Sequence, residues 1–141
     1  MISTLIIYSS TDGQTIRISE EIASVIKNNN SVKLASLDQI DMYDLNSYDQ
    51  LIIGASIRYG KHKPELYNFI KKNIAVLENK ENAFFSVNVV ARKPEKNTPE
   101  TNPYMQKFLK LSQWKPNNLQ VFAGKIDYPK YKFIDKYMIR F

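Results

Sequence analysis

The runs Leu5-Ile6-Ile7-Tyr8 and Leu51-Ile52-Ile53 are apolar at consecutive positions rather than at every second one. A strand of that kind buries both faces, which is the pattern of a parallel sheet sandwiched between helices. The segments between these runs fit the same plan. Thr4 to Ser10 reads as a first strand, and from Thr15 to about Asn28 the residues Ile18, Ile22, Val25 and Ile26 recur at helical spacing. The asparagine run 28–30 stops that helix, and Val32 to Leu37 is a weaker second strand. Leu51 to Ile57 is the third strand, and a helix follows from Pro64 to about Leu77, with Pro64 suited to a first helical position. Ala83 to Val90 is a fourth strand. A short helix then starts after Thr98 or after Asn102, each of which precedes a proline, and runs towards Gln113. Leu119 to Ala123 begins a fifth strand. Strands alternating with helices argue an open parallel sheet covered on both faces.

In such sheets ligands sit outside the carboxyl ends of the strands. The first loop at that end, Ser9-Ser10-Thr11-Asp12-Gly13-Gln14-Thr15, is rich in hydroxyls and carries one glycine. Strand, loop and helix in that order turn backbone N–H groups and a positive helix end towards one point, a site for phosphate. No Gly-x-Gly-x-x-Gly is present, so the dinucleotide fingerprint is absent, and no lysine follows the glycine as in a Walker loop. A phosphoacceptor receiver domain would need an aspartate ending strand three, where this chain has Ala55-Ser56-Ile57. Asp38, Asp41, Asp44 and Asp49 lack the alternate spacing and central glycine of a calcium loop and read as a solvated connection.

The bulk numbers set the remaining bounds. At 141 residues and 43% hydrophobic the chain suits a single domain over 1–141. Its charge of +6 attracts acidic partners: a carboxylated substrate, an anionic membrane or nucleic acid. No nucleic-acid-binding motif accompanies the charge, so nucleic acid is not expected. Without cysteine there is no disulfide, thiol nucleophile or thiolate metal site, and no metal is expected. The N-terminus opens into a strand without a secretory pattern, and no apolar stretch is long enough to span a bilayer.

Ser10-Thr11-Asp12-Gly13-Gln14-Thr15 resembles the phosphate loop of flavodoxins, in which hydroxyls and amides hold the phosphate of FMN. Asp12 departs from the usual Thr or Ser there and is expected to point outward or cap a backbone N–H. The likeness is closer in Gly54-Ala55-Ser56-Ile57-Arg58-Tyr59-Gly60, in the stretch from Ser86 to Lys96, in Ser112-Gln113-Trp114-Lys115-Pro116 and in Tyr128-Pro129-Lys130-Tyr131. These segments resemble the flavodoxin-like bacterial protoporphyrinogen oxidases that use menaquinone, along the whole chain and in order. The resemblance implies a doubly wound α/β sheet of five strands in the order 2-1-3-4-5. It implies FMN as cofactor, protoporphyrinogen IX as substrate and menaquinone or ubiquinone as acceptor, in haem synthesis. A flavodoxin-type electron carrier and a shortened, non-catalytic flavin-binding remnant are the alternatives. Family members continue past Phe141, so the final helix is expected to be missing, which would uncover one face of the sheet.

On this resemblance the cofactor contacts are Ser10, Thr11, Asp12, Gly13, Gln14 and Thr15 in the first loop, with Ser56, Ile57, Arg58, Tyr59 and Gly60 in the second. Ser86, Val87, Asn88 and Val89 complete them from the fourth strand and its loop. Tyr59 is placed to stack on the flavin ring and Asn88 to hydrogen-bond its polar edge. Arg92, Lys93 and Lys96 suit the two propionates of the porphyrinogen. No catalytic side chain is assigned, since the flavin carries the redox chemistry. His62, the sole histidine, lies in a Lys-His-Lys stretch without an acidic neighbour and reads as a solvated surface residue, not a base. The tail 125–141 sets Lys130, Lys132, Lys136 and Arg140 among Tyr131, Phe133, Ile134, Tyr137, Met138 and Phe141. That composition suits an anionic membrane surface and a cytoplasmic protein resting on the inner face of the cell membrane. A homo-oligomer is compatible with this arrangement.

Overall fold

The computed structural model describes residues 2–9, 13–28 and 30–123. Ser10, Thr11, Asp12 and the tail 125–141 therefore lie outside the described residues. Five strands, β1 (Ile2–Ser9), β2 (Asn30–Ser36), β3 (Gln50–Ser56), β4 (Glu81–Val87) and β5 (Asn118–Phe122), pair in parallel in the order β2-β1-β3-β4-β5. The expected order 2-1-3-4-5 is the observed one. Between them run α1 (Gln14–Ile26), α2 (Pro64–Lys72), α3 (Ile74–Asn79) and α4 (Pro103–Ser112).

Because successive strand residues face opposite ways, the apolar runs feed two separate cores. Leu5, Ile7, Leu51, Ile53, Phe84 and Val121 meet Leu66, Phe69 and Ile70 of α2, Leu77 of α3, and Met105 and Phe108 of α4. Phe84 and Phe108 stack at 3.7 Å between centroids, and Trp114 meets both edge-on. On the other face Ile6, Ile52, Phe85, Val87 and Phe122 pack with Ile18, Ile22, Val25 and Ile26 of α1. Phe85 lies directly over Gly54, where an added Cβ would stand 2.0 Å from its ring. A glycine is required there by close approach.

Local chemistry refines the sequence reading in three places. The expected single helix from Pro64 to Leu77 breaks at Asn73, whose side-chain amide donates to the Phe69 carbonyl and whose backbone leaves helical geometry (φ −114°, ψ 19°). The aspartate-rich connection folds into two 3₁₀ turns, Leu37–Met42 and Leu45–Ser47, capped by the Ser36 and Asp44 side chains. Asp49 accepts from the Ser3 backbone N–H and hydroxyl, bonds that hold its carboxyl below the usual range. The start of α4 falls at Pro103, because Asn102 accepts from the N–H groups of Tyr104 and Met105 as a side-chain cap.

Candidate functional site

The start of α1 and the residues that follow β3 and β4 meet at one end of the sheet. The first loop leads into α1 through Gly13, at φ +87°, a left-handed conformation that glycine adopts without strain. Gly13 supplies no side-chain cap, and no acidic residue stands in the first turn of this 13-residue helix. The positive end of such a helix favours an anion. Thr15, one residue into the helix, is fully buried, and its Oγ1 has no hydrogen-bond partner. A buried hydroxyl without a partner costs about 1–3 kcal/mol, so this atom is placed for a ligand oxygen. The residues present therefore fit a phosphate-bearing cofactor.

The second loop is a tight hairpin. Arg58 and Lys61 exchange both backbone hydrogen bonds (2.9 and 3.2 Å) around Tyr59 at φ +53° and Gly60 at φ +76°. Two successive positive φ values define the mirror-image type I turn, which favours Asn or Gly first and not a bulky ring. Tyr59 holds this uncommon geometry with 86% of its surface exposed, and the Arg58 guanidinium lies 5.0 Å from its ring centre. The third loop leaves β4 at Val87, with Val89 65% exposed at its tip. A cleft of about 110 Å³ between the loops is lined by Gln14, Ser56, Ile57, Val87, Asn88, Val89 and Tyr104. Six of these were expected from the sequence. Tyr104 was not, since the start of α4 was open between two prolines.

Behind the cleft lies a closed polar network. Asn88 Nδ2 donates to Ser86 Oγ (3.1 Å) and Asn102 Oδ1 (3.2 Å). Asn88 Oδ1 accepts from the Ala91 N–H (3.2 Å) and from Asn102 Nδ2 (2.9 Å). Asn102 Nδ2 also donates to the Lys96 carbonyl (2.9 Å). The Asn88 amide has thus spent its bonding capacity inside the protein, and it holds the loop in place of donating to a flavin edge. Ser86, fully buried, stands behind the cleft and not on it. The two side chains bond each other, while Asn88 itself is among the residues that line the cleft. Arg92 and Lys93 are exposed on the same loop, and Lys96 is half-buried.

His62 is the larger correction. It is 2% exposed, wedged edge-on against Phe84 and Phe108, with Nε2 2.9 Å from Ser86 Oγ. Burial, aided by Lys107, pushes its pKa down to about 4, so the imidazole is neutral. The flanking lysines suggested solvent. The missed signal is position: with Lys63 capping α2, His62 is the residue before the cap, where side chains commonly turn inward. Among the described residues no group of acidic or histidine side chains could hold a metal ion.

Comparison with known proteins bears on the same end of the sheet. A family model described as a flavodoxin domain matches residues 5–141. The protoporphyrinogen IX dehydrogenase (quinone) of Escherichia coli K12 is 44% identical over 138 residues, covering 97% of this chain and 76% of that protein. The protein of the same name from Leishmania major is 42% identical over 139 residues, covering 97% of this chain and 60% of its own length. Among solved structures, the two-electron reduced flavodoxin of Megasphaera elsdenii superposes with a TM-score of 0.70 at 14% identity, covering 94% and 96% of the two chains. Oxidised flavodoxin 1 of Bacillus cereus gives 0.63 at 16%, covering 96% and 93%. At those identities the structures speak to the fold alone.

Proposed function

The chain belongs to the flavodoxin domain family, and from that premise we propose that it oxidises protoporphyrinogen IX to protoporphyrin IX with FMN as cofactor. Electrons leave to a menaquinone or ubiquinone, and the product serves haem synthesis. The observation that carries this reading is 44% identity, over 97% of the chain, to a quinone-linked dehydrogenase of that substrate. Bound FMN supplies the redox chemistry, taking hydride equivalents from the porphyrinogen and yielding electrons to the quinone.

The protein's own residues bind and orient. Hydroxyls and backbone amides from the stretch Ser10 to Thr15, Asp12 and Gly13 included, hold the phosphate, with Thr15 Oγ1 and the α1 end as the described part of that cradle. The flavin ring would be held by the hairpin of Arg58, Tyr59 and Gly60 and by Val89, with Ser56, Ile57 and Val87 among the residues that line the cleft. Tyr59 exposes its ring at a backbone cost, which supports a role in stacking. Arg92, Lys93 and Lys96 follow Val89 on the segment after β4, and as cations they suit the propionates of the substrate. The whole chain rests on an anionic membrane surface without crossing it, so that a lipid-dissolved quinone reaches the flavin. Among the described residues no helix is long and apolar enough to span a bilayer.

Anaerobic mixing tests the reading. Porphyrinogen should bleach the flavin absorbance, and menaquinone should restore it with porphyrin fluorescence appearing. Reduction only by a reductase protein, with no response to porphyrinogen, would identify an electron carrier instead.

A further inference from the structure

We propose that His62 is a positioning residue that fixes the gape of the cofactor cleft, tying the hairpin on one side to the loop on the other. This rests on the flavin reading above and adds a residue that acts through others. His62 follows directly on the hairpin pair Arg58–Lys61, so anchoring its ring anchors the root of the wall that carries Tyr59. Its Nε2 meets Ser86 in β4, two residues before Asn88 and three before Val89, the root of the opposite wall. A second tie, from Ile57 N–H to the Val87 carbonyl (3.2 Å), links the exit of β3 to β4 one residue further along β4.

Ser86 Oγ accepts from Asn88 Nδ2 and shares a hydrogen bond with His62 Nε2, whose donor is set by the imidazole tautomer. His62 is therefore the far end of a hydrogen-bonded chain that runs from the Asn102 and Asn88 amide pair through Ser86. The rings of Phe84 and Phe108, set edge-on to the imidazole, hold it in that position. Removing the imidazole leaves the Ser86 hydroxyl bonded to Asn88 alone and unties it from the root of the hairpin. The slack passes to Asn88, the residue that holds Ala91 and, through Asn102, Lys96. Loss of His62 should therefore loosen the loop that carries Val89, although His62 touches neither the cleft nor the substrate.

The test compares His62→Phe, Ser86→Ala and His62→Gln, the last placing an amide that can donate or accept near the position of Nε2. FMN affinity of the apo-protein is read by fluorescence quenching, together with hydrogen exchange of the Ala91 amide. Losing one buried hydrogen bond amounts to roughly three- to tenfold in an equilibrium. His62→Phe and Ser86→Ala should each weaken FMN by about that factor and speed Ala91 exchange, with Gln within about twofold of wild type. The double variant should be no weaker than either single one, because both break the same tie. If His62→Phe fails to fold, Ser86→Ala carries the comparison alone. Wild-type FMN affinity and Ala91 exchange in Ser86→Ala would overturn the proposal while leaving the flavin site intact. Failure of the wild-type protein to bind FMN would instead overturn the functional reading beneath it.

Discussion

Thr15 and His62 are two buried polar residues with opposite fates, and each makes a separate prediction. Thr15 Oγ1 is buried without a partner, so the apo-protein gains nothing from it. Thr15→Val should leave apo stability unchanged or raise it, yet weaken FMN by about ten- to a hundredfold, the value of a hydrogen bond to a charged oxygen. Chemical denaturation and FMN titration of the same samples check both signs. His62 has its bond already and costs the protein at low pH. Its pKa falls from 6.5 to about 4 on folding, so in that interval the unfolded chain takes up a proton that the folded chain refuses. Stability from this group is intact above pH 6.5 and declines as pH falls towards 4, by about 3 kcal/mol in all. His62→Gln should flatten that part of the profile, as measured by the difference between the two proteins in urea unfolding from pH 7 to 4.

At the level of elements, the structure rests on two tight fits that single substitutions expose. Gly54→Ala in β3 drives a methyl into the Phe85 ring, and crowding of this kind costs about 1–3 kcal/mol. Adding Phe85→Leu should recover part of the loss, and thermal unfolding of both variants decides. Asn102→Ala removes the cap of α4 and strands the Asn88 amide, so its cost should exceed the roughly 1 kcal/mol of an ordinary cap. The strands and α1 were legible because their apolar periodicity is long and unbroken. The break at Asn73 was not, since it depends on one side chain bonding its own helix. The loops of the cleft were legible through resemblance to a known family. What sequence order hid was burial: His62 looks like a solvated loop residue, Ser86 and Asn88 like ligand contacts on the fourth strand, and only the folded chain turns the three side chains onto one another. Nothing in Lys61-His62-Lys63 announces an aromatic cage formed by β4 and α4.

For the whole molecule, the parallel sheet, the positive end of α1 and the residues that follow β3 and β4 form one arrangement for a phosphorylated flavin. A net charge of +6 then favours an anionic surface on which a quinone can be met. Flotation with anionic liposomes should recover the protein at low salt and lose it at high salt, whereas equal soluble fractions with neutral and anionic lipid would refute membrane attachment. The most direct measurement is a paired titration of the apo-protein with FMN and with riboflavin, followed by flavin fluorescence. On the proposal that the α1 end and Thr15 hold the phosphate, FMN should be quenched with one-to-one stoichiometry and bind at least about tenfold more tightly than riboflavin. Equal affinity for the two, or no quenching by either, would contradict the account.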